Sequence, residues 1–218
     1  GDPEATFDDG LVAFNSDGYS FGDNSRNNGS GHTYVGYAWK ESASAGFDIV
    51  SYTGNGSART ISHSLGVAPE MIIIKCRSES QAWKVGHKDL SGNNWTYRLI
   101  FSDNSDQYDA ADFNDTAPTS SVFSVGTDDT VNKDTATYIA YLFASVEGYS
   151  KIGSYAGNGN ADGTFIYLGF KPAWIMFKRI DADDNWYIID SKRTTYNPTR
   201  YYLTVNSNAQ GLDTDGSV

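Results

Sequence analysis

The chain has 218 residues, enough for one large all-β domain or two small ones. Its formal net charge of −11 argues against binding nucleic acid or an anionic membrane surface through a general field. The single cysteine, Cys76, excludes an internal disulfide, no apolar run is long enough to span a membrane, and no signal peptide is evident. A start at Gly1 rather than Met reads as a processed product or a piece of something longer.

Taken in chain order, the segments read as strands and turns. "TYVGYAWK" at 33–40 sets Tyr34, Gly36 and Ala38 against Val35, Tyr37 and Trp39, a period of two. "SYTGNG" at 51–56 carries the Asn-Gly pair that tolerates positive φ, as two-residue turns demand, so it reads as a hairpin turn. A glycine-rich phosphate loop would need a helix after it, and "ARTISHS" is strand-like. "MIIIK" at 71–75 opens with four consecutive apolar residues, which predicts a strand covered on both faces. "AWKVGHK" and "YRLIFS" follow as short strands between Gly, Asn, Ser and Asp clusters. Beyond residue 108 come "VFSVG", "TYIAYLFA", "TFIYLG", "WIMFKRI", "NWYIID" and "RYYLTV". No sustained 3.6-residue period appears, so few helices are expected.

The second series repeats the first. "SYTGNG" faces "SYAGNG" at 154–159, and "LGVAPEMIIIK" at 65–75 faces "LGFKPAWIMFK" at 168–178. Trp83 matches Trp186, "TYVGYAW" matches "TYIAYLF" at 137–143, and Asn28 matches Asn132. The spacing is about 103 residues throughout, the mark of an internal repeat. The expectation is an all-β chain of two tandem β-sandwich, jelly-roll-like units, residues 1–108 and 109–218. That frame leaves no orphan halves. In a second frame one whole unit runs from near Gly46 to near Gly148, and the chain ends are two half-units.

Candidate sites follow from residue type and position. Trp83, Trp186, Tyr52 and Tyr155 recur within the repeat and read as core. Trp95, Tyr108 and Tyr196 fall in expected loops and do not recur, so they are the candidates for stacking on sugars. "DADDN" and "DTDGS" resemble fragments of calcium loops, with Asp181, Asp183, Asp213 and Asp215 as the oxygen donors, although neither completes the EF-hand pattern. Solvated turns are the plainer reading of both. No nucleophile elbow, HExxH or Cys/His cluster is present, and His63 and His87 fall outside the shared framework. The acidic residues lie mostly in turn-like runs, so an enzyme is not expected. The outward side chains of the doubly apolar runs, Met71, Ile73, Trp174 and Met176, are the expected assembly surface, unless the two units cover each other.

The stretch "ISHSLGVAPEMIIIK", with "SYxGNG" before it and "TYIxYxF" after it, resembles repeated modules of tail-fibre and related virion proteins of bacteriophages that infect aquatic bacteria, including cyanobacteria. The resemblance covers most of the chain. It implies a non-enzymatic structural or adhesive role on a phage particle, an extracellular virion location, and partners that are other copies or modules of the same virion protein and host surface glycan. It assigns no catalytic residue; from charge and composition no nucleic acid or membrane partner is expected, and no cofactor other than calcium. A secreted carbohydrate-binding or cell-surface adhesion module is the alternative, and a glycan depolymerase the third reading.

Overall fold

The computed structural model describes residues 1–92, 95–193 and 201–207, with the backbone of 212–213. Antiparallel strands dominate it. β1 (Leu11–Phe14) and β2 (Tyr19–Phe21) form a hairpin, and the four-residue helix α1 (Ser25–Asn28) follows. Next come β3 (Phe47–Thr53), β4 (Arg59–Ser62), β5 (Met71–Cys76), β6 (Lys84–His87), β7 (Tyr97–Ile100) and β8 (Tyr108–Asp109). β9 (Val122–Val125), the short helix α2 (Asp129–Asn132) and β10 (Thr137–Phe143) lead to β11 (Trp174–Lys178), β12 (Trp186–Asp190), β13 (Tyr201–Thr204) and β14 (Leu212–Asp213).

The largest sheet runs β3-β10-β5-β6-β7-β8. Alternation in β10 explains its central place. Tyr138, Ala140 and Leu142 are fully buried on one face, while Ile139, Tyr141 and Phe143 face the other way. β10 pairs antiparallel with β3 through Phe143 opposite Phe47, and with β5 through Phe143 opposite Met71. β4 pairs with β9 as a separate ribbon whose Ile61, Phe123 and Val125 close over Ile72, Ile74 and Tyr138. Each fully buried Ile in this layer contributes about 1.5–3 kcal/mol.

The sheet draws on both sides of residue 108, because β10 lies between β3 and β5. Its strands fall within residues 46–148, as in the second frame, and a boundary at 108/109 would cut through it. A second sheet, β11-β12-β13-β14, repeats the order of β5-β6-β7-β8 at a spacing of about 103 residues. Among the described residues it has no counterpart of β10. The segments 33–39 and 164–169, expected as strands, lie outside the ladders. A strand persists only where a neighbouring edge accepts its backbone groups. β10 is paired along two such edges, and among the described residues these segments are paired along none.

The hairpin turn expected at "SYTGNG" is not formed, because β3 pairs with β10 and β4 with β9; the stretch is instead a bend between two sheets, with Gly56 at φ +69°. The fully buried Asn132 pins it. Its Oδ1 accepts from Asn55 N at 3.1 Å, and its Nδ2 donates to Ser57 O and to Gly126 O, both at 2.7 Å.

Candidate interaction surfaces

The outer face of the six-stranded sheet meets the second sheet. Ile73, Val85, Leu90 and Leu99 cluster with Trp186, and Met71, Trp83, Phe101 and Met176 pack around them. Trp186 sits edge-on to Phe101, with ring centroids 5.0 Å apart, and donates from Nε1 to Ile100 O at 2.9 Å. Trp83 and Trp186, the recurring tryptophans, therefore lie in one seam. This placement corrects the expected assembly surface. Ile73 is buried, and Met71 and Met176 are part-buried in the seam, so the covering comes from the same chain. β5 is apolar on both faces because both are covered, as its run of four apolar residues predicts. β11 is not so enclosed, and Ile175 stands 43% exposed.

Trp174, the fourth residue of that expected surface, has other neighbours. Its ring lies 5.8 Å from those of both Tyr37 and Trp39, and Trp39 also contacts Phe143 at 6.4 Å. This aromatic group lies partly open beside the seam. Tyr34, Val35, Tyr37 and Trp39 all remain substantially exposed. Among the described residues, the large hydrophobic side chains that stand exposed include only Ile49 and Val67 from residues 46–148. The others come from the two ends of the chain, most openly Phe165 at 86%, Phe14 at 85% and Tyr167 at 80%. Phe165 and Tyr167 line an open apolar groove with Leu168, Phe170 and Ile175.

Of the sugar-stacking candidates, the two that are described do not present a ring free on both faces. Trp95 is 8% exposed and packs edge-on to Phe113, and Gly86 makes room for it. A Cβ at Gly86 would lie 2.6 Å from both rings, so only glycine fits beneath them. The Tyr108 ring is capped by the Arg98 guanidinium at 4.5 Å, a cation–π contact that occupies one face. Tyr196 lies outside the described residues.

The calcium candidates do not converge. Asp181 is ion-paired to Arg179 at 2.7 Å, and this contact holds its carboxyl below the usual carboxylate range. Asp183 accepts from Asp106 N at 3.2 Å. The side chain of Asp213, like Asp215, is outside the described residues. Among the described residues, no group of three His, Cys, Asp or Glu side chains could hold a metal ion.

One buried polar group was not anticipated. Asp112 is fully buried and ion-paired to Arg98, with buried Lys84 nearby. Burial pushes the Asp112 carboxyl up, and Arg98 opposes this without reversing it. Burial, aided by the charge of Arg98, pushes Lys84 down. The pair ties β7 to the turn at Ala111–Phe113, and it offers no open face to a ligand. Its sequence signal was the charged Arg98 between the apolar positions of "YRLI".

The N-terminal part repeats the local bonding of the α2 region. Asn24 caps α1 by accepting from Arg26 N, as Asp128 caps α2 by accepting from Thr130 N. Tyr34 donates to Ser25 O and accepts from Gly29 N, both at 2.8 Å. Tyr138 donates to Asp129 O at 2.7 Å and accepts from Lys133 N at 2.8 Å. Asn28 donates to Gly22 O at 2.7 Å, as Asn132 does to Gly126 O. All these pairs share a spacing of about 104 residues.

No curated protein and no solved structure matches the chain. Residues 2–217 match the model of a domain of unknown function, DUF7483. With nearly its whole length matched and its antiparallel β architecture in view, the chain belongs to the DUF7483 family.

Proposed function

We propose that the chain is a non-enzymatic structural and adhesive module of a bacteriophage particle, a tail fibre or other virion surface protein, built from two repeated β-sandwich units. It works beside other copies or modules of the same virion protein and against host surface glycan. One observation carries this reading. The exposed large apolar side chains concentrate outside residues 46–148, which leaves apolar surface for neighbouring modules to cover. The resemblance of "SYxGNG", "LGxxP" and "TYIxYxF" to phage fibre modules supplies the kind of neighbour. Electron microscopy of the native source, with gold-labelled antibody to the chain, tests it. Decoration of a phage tail or capsid surface is expected, and antigen found only free of particles would overturn the reading.

A second reading, a secreted carbohydrate-binding or cell-surface adhesion module, is favoured by the open rings of Phe165 and Tyr167. Binding to a glycan array, lost on Tyr167→Ala, together with absence from particles would select it. Release of reducing sugar would select a depolymerase instead.

A further inference from the structure

We infer that the segment Thr33–Trp39 is the strand that fits the open edge of β11, as β10 fits β5, and that the chain closes its second sheet with its own N-terminal part. β11 is hydrogen-bonded to β12 on one side and, among the described residues, has no strand on the other. An unpaired edge is a template for another strand. β5, at the matching place in the first sheet, has β10 on that side. The sequence of Thr33–Trp39 matches that of β10, residue for residue in type at Thr, Tyr and the second Tyr. Its entry is held in the same way, because Tyr34 makes the two hydrogen bonds to α1 that Tyr138 makes to α2.

The register follows from the observed one. In the first sheet Phe143 stands opposite Met71, Tyr141 opposite Ile73 and Ile139 opposite Lys75. Carried across the repeat, Trp39 stands opposite Trp174, Tyr37 opposite Met176 and Val35 opposite Lys178. Two ring contacts already agree with this, Trp39 with Trp174 and Tyr37 with Trp174, each at 5.8 Å. These contacts lie within one chain, which selects the chain's own segment over that of a second copy. A tethered strand is present at an effective concentration of order millimolar, well above a second copy in dilute solution. Side chains at Tyr34, Val35, Tyr37 and Trp39, between 38 and 49% exposed, would be covered on docking. The inference does not depend on where the protein resides, so failure of the virion reading would leave it standing.

The test is a cysteine pair, Val35→Cys with Lys178→Cys, in a Cys76→Ala background. Both positions lie at the rim and not in a core cluster. Directly opposed antiparallel residues have Cα atoms about 4.5–5.5 Å apart, within disulfide reach. Mild oxidation is expected to give a disulfide within the monomer, while the shifted pair Gly36→Cys with Lys178→Cys gives little. Disulfide-linked oligomers at micromolar concentration would assign the edge to a second copy and overturn the inference, as would no disulfide. Hydrogen exchange on the unmodified chain guards against a misfolded variant. Alternate amides of Thr33–Trp39 are expected to exchange roughly 100-fold or more slower than free amides. Unprotected exchange along the whole segment would overturn the inference independently.

Discussion

The sheet β5-β6-β7-β8 and the sheet β11-β12-β13-β14 are the same antiparallel meander with different surroundings. In the first, β10 and β3 extend the sheet and the β4–β9 ribbon lies across it, so Ile72 and Ile74 of β5 reach complete burial. In the second, Ile175 and Phe177 take the places of Ile72 and Ile74, and Ile175 is left in contact with solvent. The outer faces differ less, because the two sheets share one seam through Ile73, Met176, Trp83 and Trp186. A modest set of shared residues thus gives matching meanders, while burial depends on which further strands arrive. Substitutions at matched positions separate these two contributions.

The largest contrast is expected from a charge on the inner face. Ile72→Asp places a carboxylate in a dry layer without a partner, and the cost should exceed about 4 kcal/mol and unfold the 46–148 region. Ile175→Asp should cost less than about 1 kcal/mol, because that side chain already meets water. Urea unfolding of both variants measures the difference. Equal losses would mean that the second sheet has an inner core of its own in solution.

The seam comes next. Trp186→Ala should cost roughly 3–5 kcal/mol, since it opens a cavity and leaves Ile100 O without its indole donor. Trp83→Ala should cost less, because Trp83 is only part-buried and its indole has no such bond among the described residues. Thermal unfolding followed by tryptophan fluorescence reads both. Independent loss of the second sheet in Trp186→Ala, with the first intact, would show that the seam and not the meander holds β11–β13 in place.

Asn132 and Asn28 give a smaller and cleaner contrast. Asn132→Ala removes three hydrogen bonds from a fully buried amide and should cost about 2–4 kcal/mol. Asn28→Ala removes one bond at an exposed site and should cost about 0.5 kcal/mol. If Thr33–Trp39 docks onto β11, the Asn28 cost rises, because the loop at 154–159 would then stand where the Asn55 loop stands beside Asn132.

Much of this arrangement was legible in the residues, for reasons that differ by element. The period of two in "TYIAYLF" and the four apolar residues of "MIIIK" report burial directly, so β10 and β5 were readable as strands and β5 as doubly covered. The recurrence of motifs at a spacing of about 103 residues was readable because spacing is a property of the chain alone. The partner of each strand was not. "TYVGYAW" has the pattern of β10 and no ladder, since pattern prescribes a face and not a neighbour. The same limit misled the outward residues of β5. Apolar outward side chains require a cover, and the pattern is silent on whether another subunit or the same chain supplies it. Trp95 shows a third limit. Its loop position suggested an exposed ring, but Gly86 and Phe113, distant in sequence, create a pocket for it. Arg98 and Asp112 were hidden because charge is read as surface until a partner of opposite sign is seen.

Acid titration sharpens the comparison from another side, because two carboxyls of the 46–148 region respond with opposite sign. Burial works to raise Glu70, but Lys88 Nζ at 2.8 Å, with Ser145 N at 2.8 Å and Ser145 Oγ, overcomes it and holds the carboxyl below its ordinary value of 4.5. The folded state therefore binds this proton less readily than the unfolded chain. Its contribution is complete above about pH 4.5 and is lost as pH falls through the lower folded value. Asp112 is raised above 3.8 by burial, so its contribution is present below that value and is lost as pH rises through the folded value. Between pH 5 and 3 the first effect weakens the fold while the second strengthens it. Glu70→Gln should flatten the fall in melting temperature across that window, and Asp112→Asn should steepen it once its cost at neutral pH is subtracted. The second sheet has Lys171 and Pro172 ahead of β11, and Ala173 at the place of Glu70, so no matching carboxylate joins it to a strand like β10. Acid should then loosen the β5–β10 junction without touching the seam. Hydrogen exchange at pH 3.5 locates the change. Earlier opening of β11–β13 than of β10 would place the acid-sensitive contact in the seam and not at Glu70.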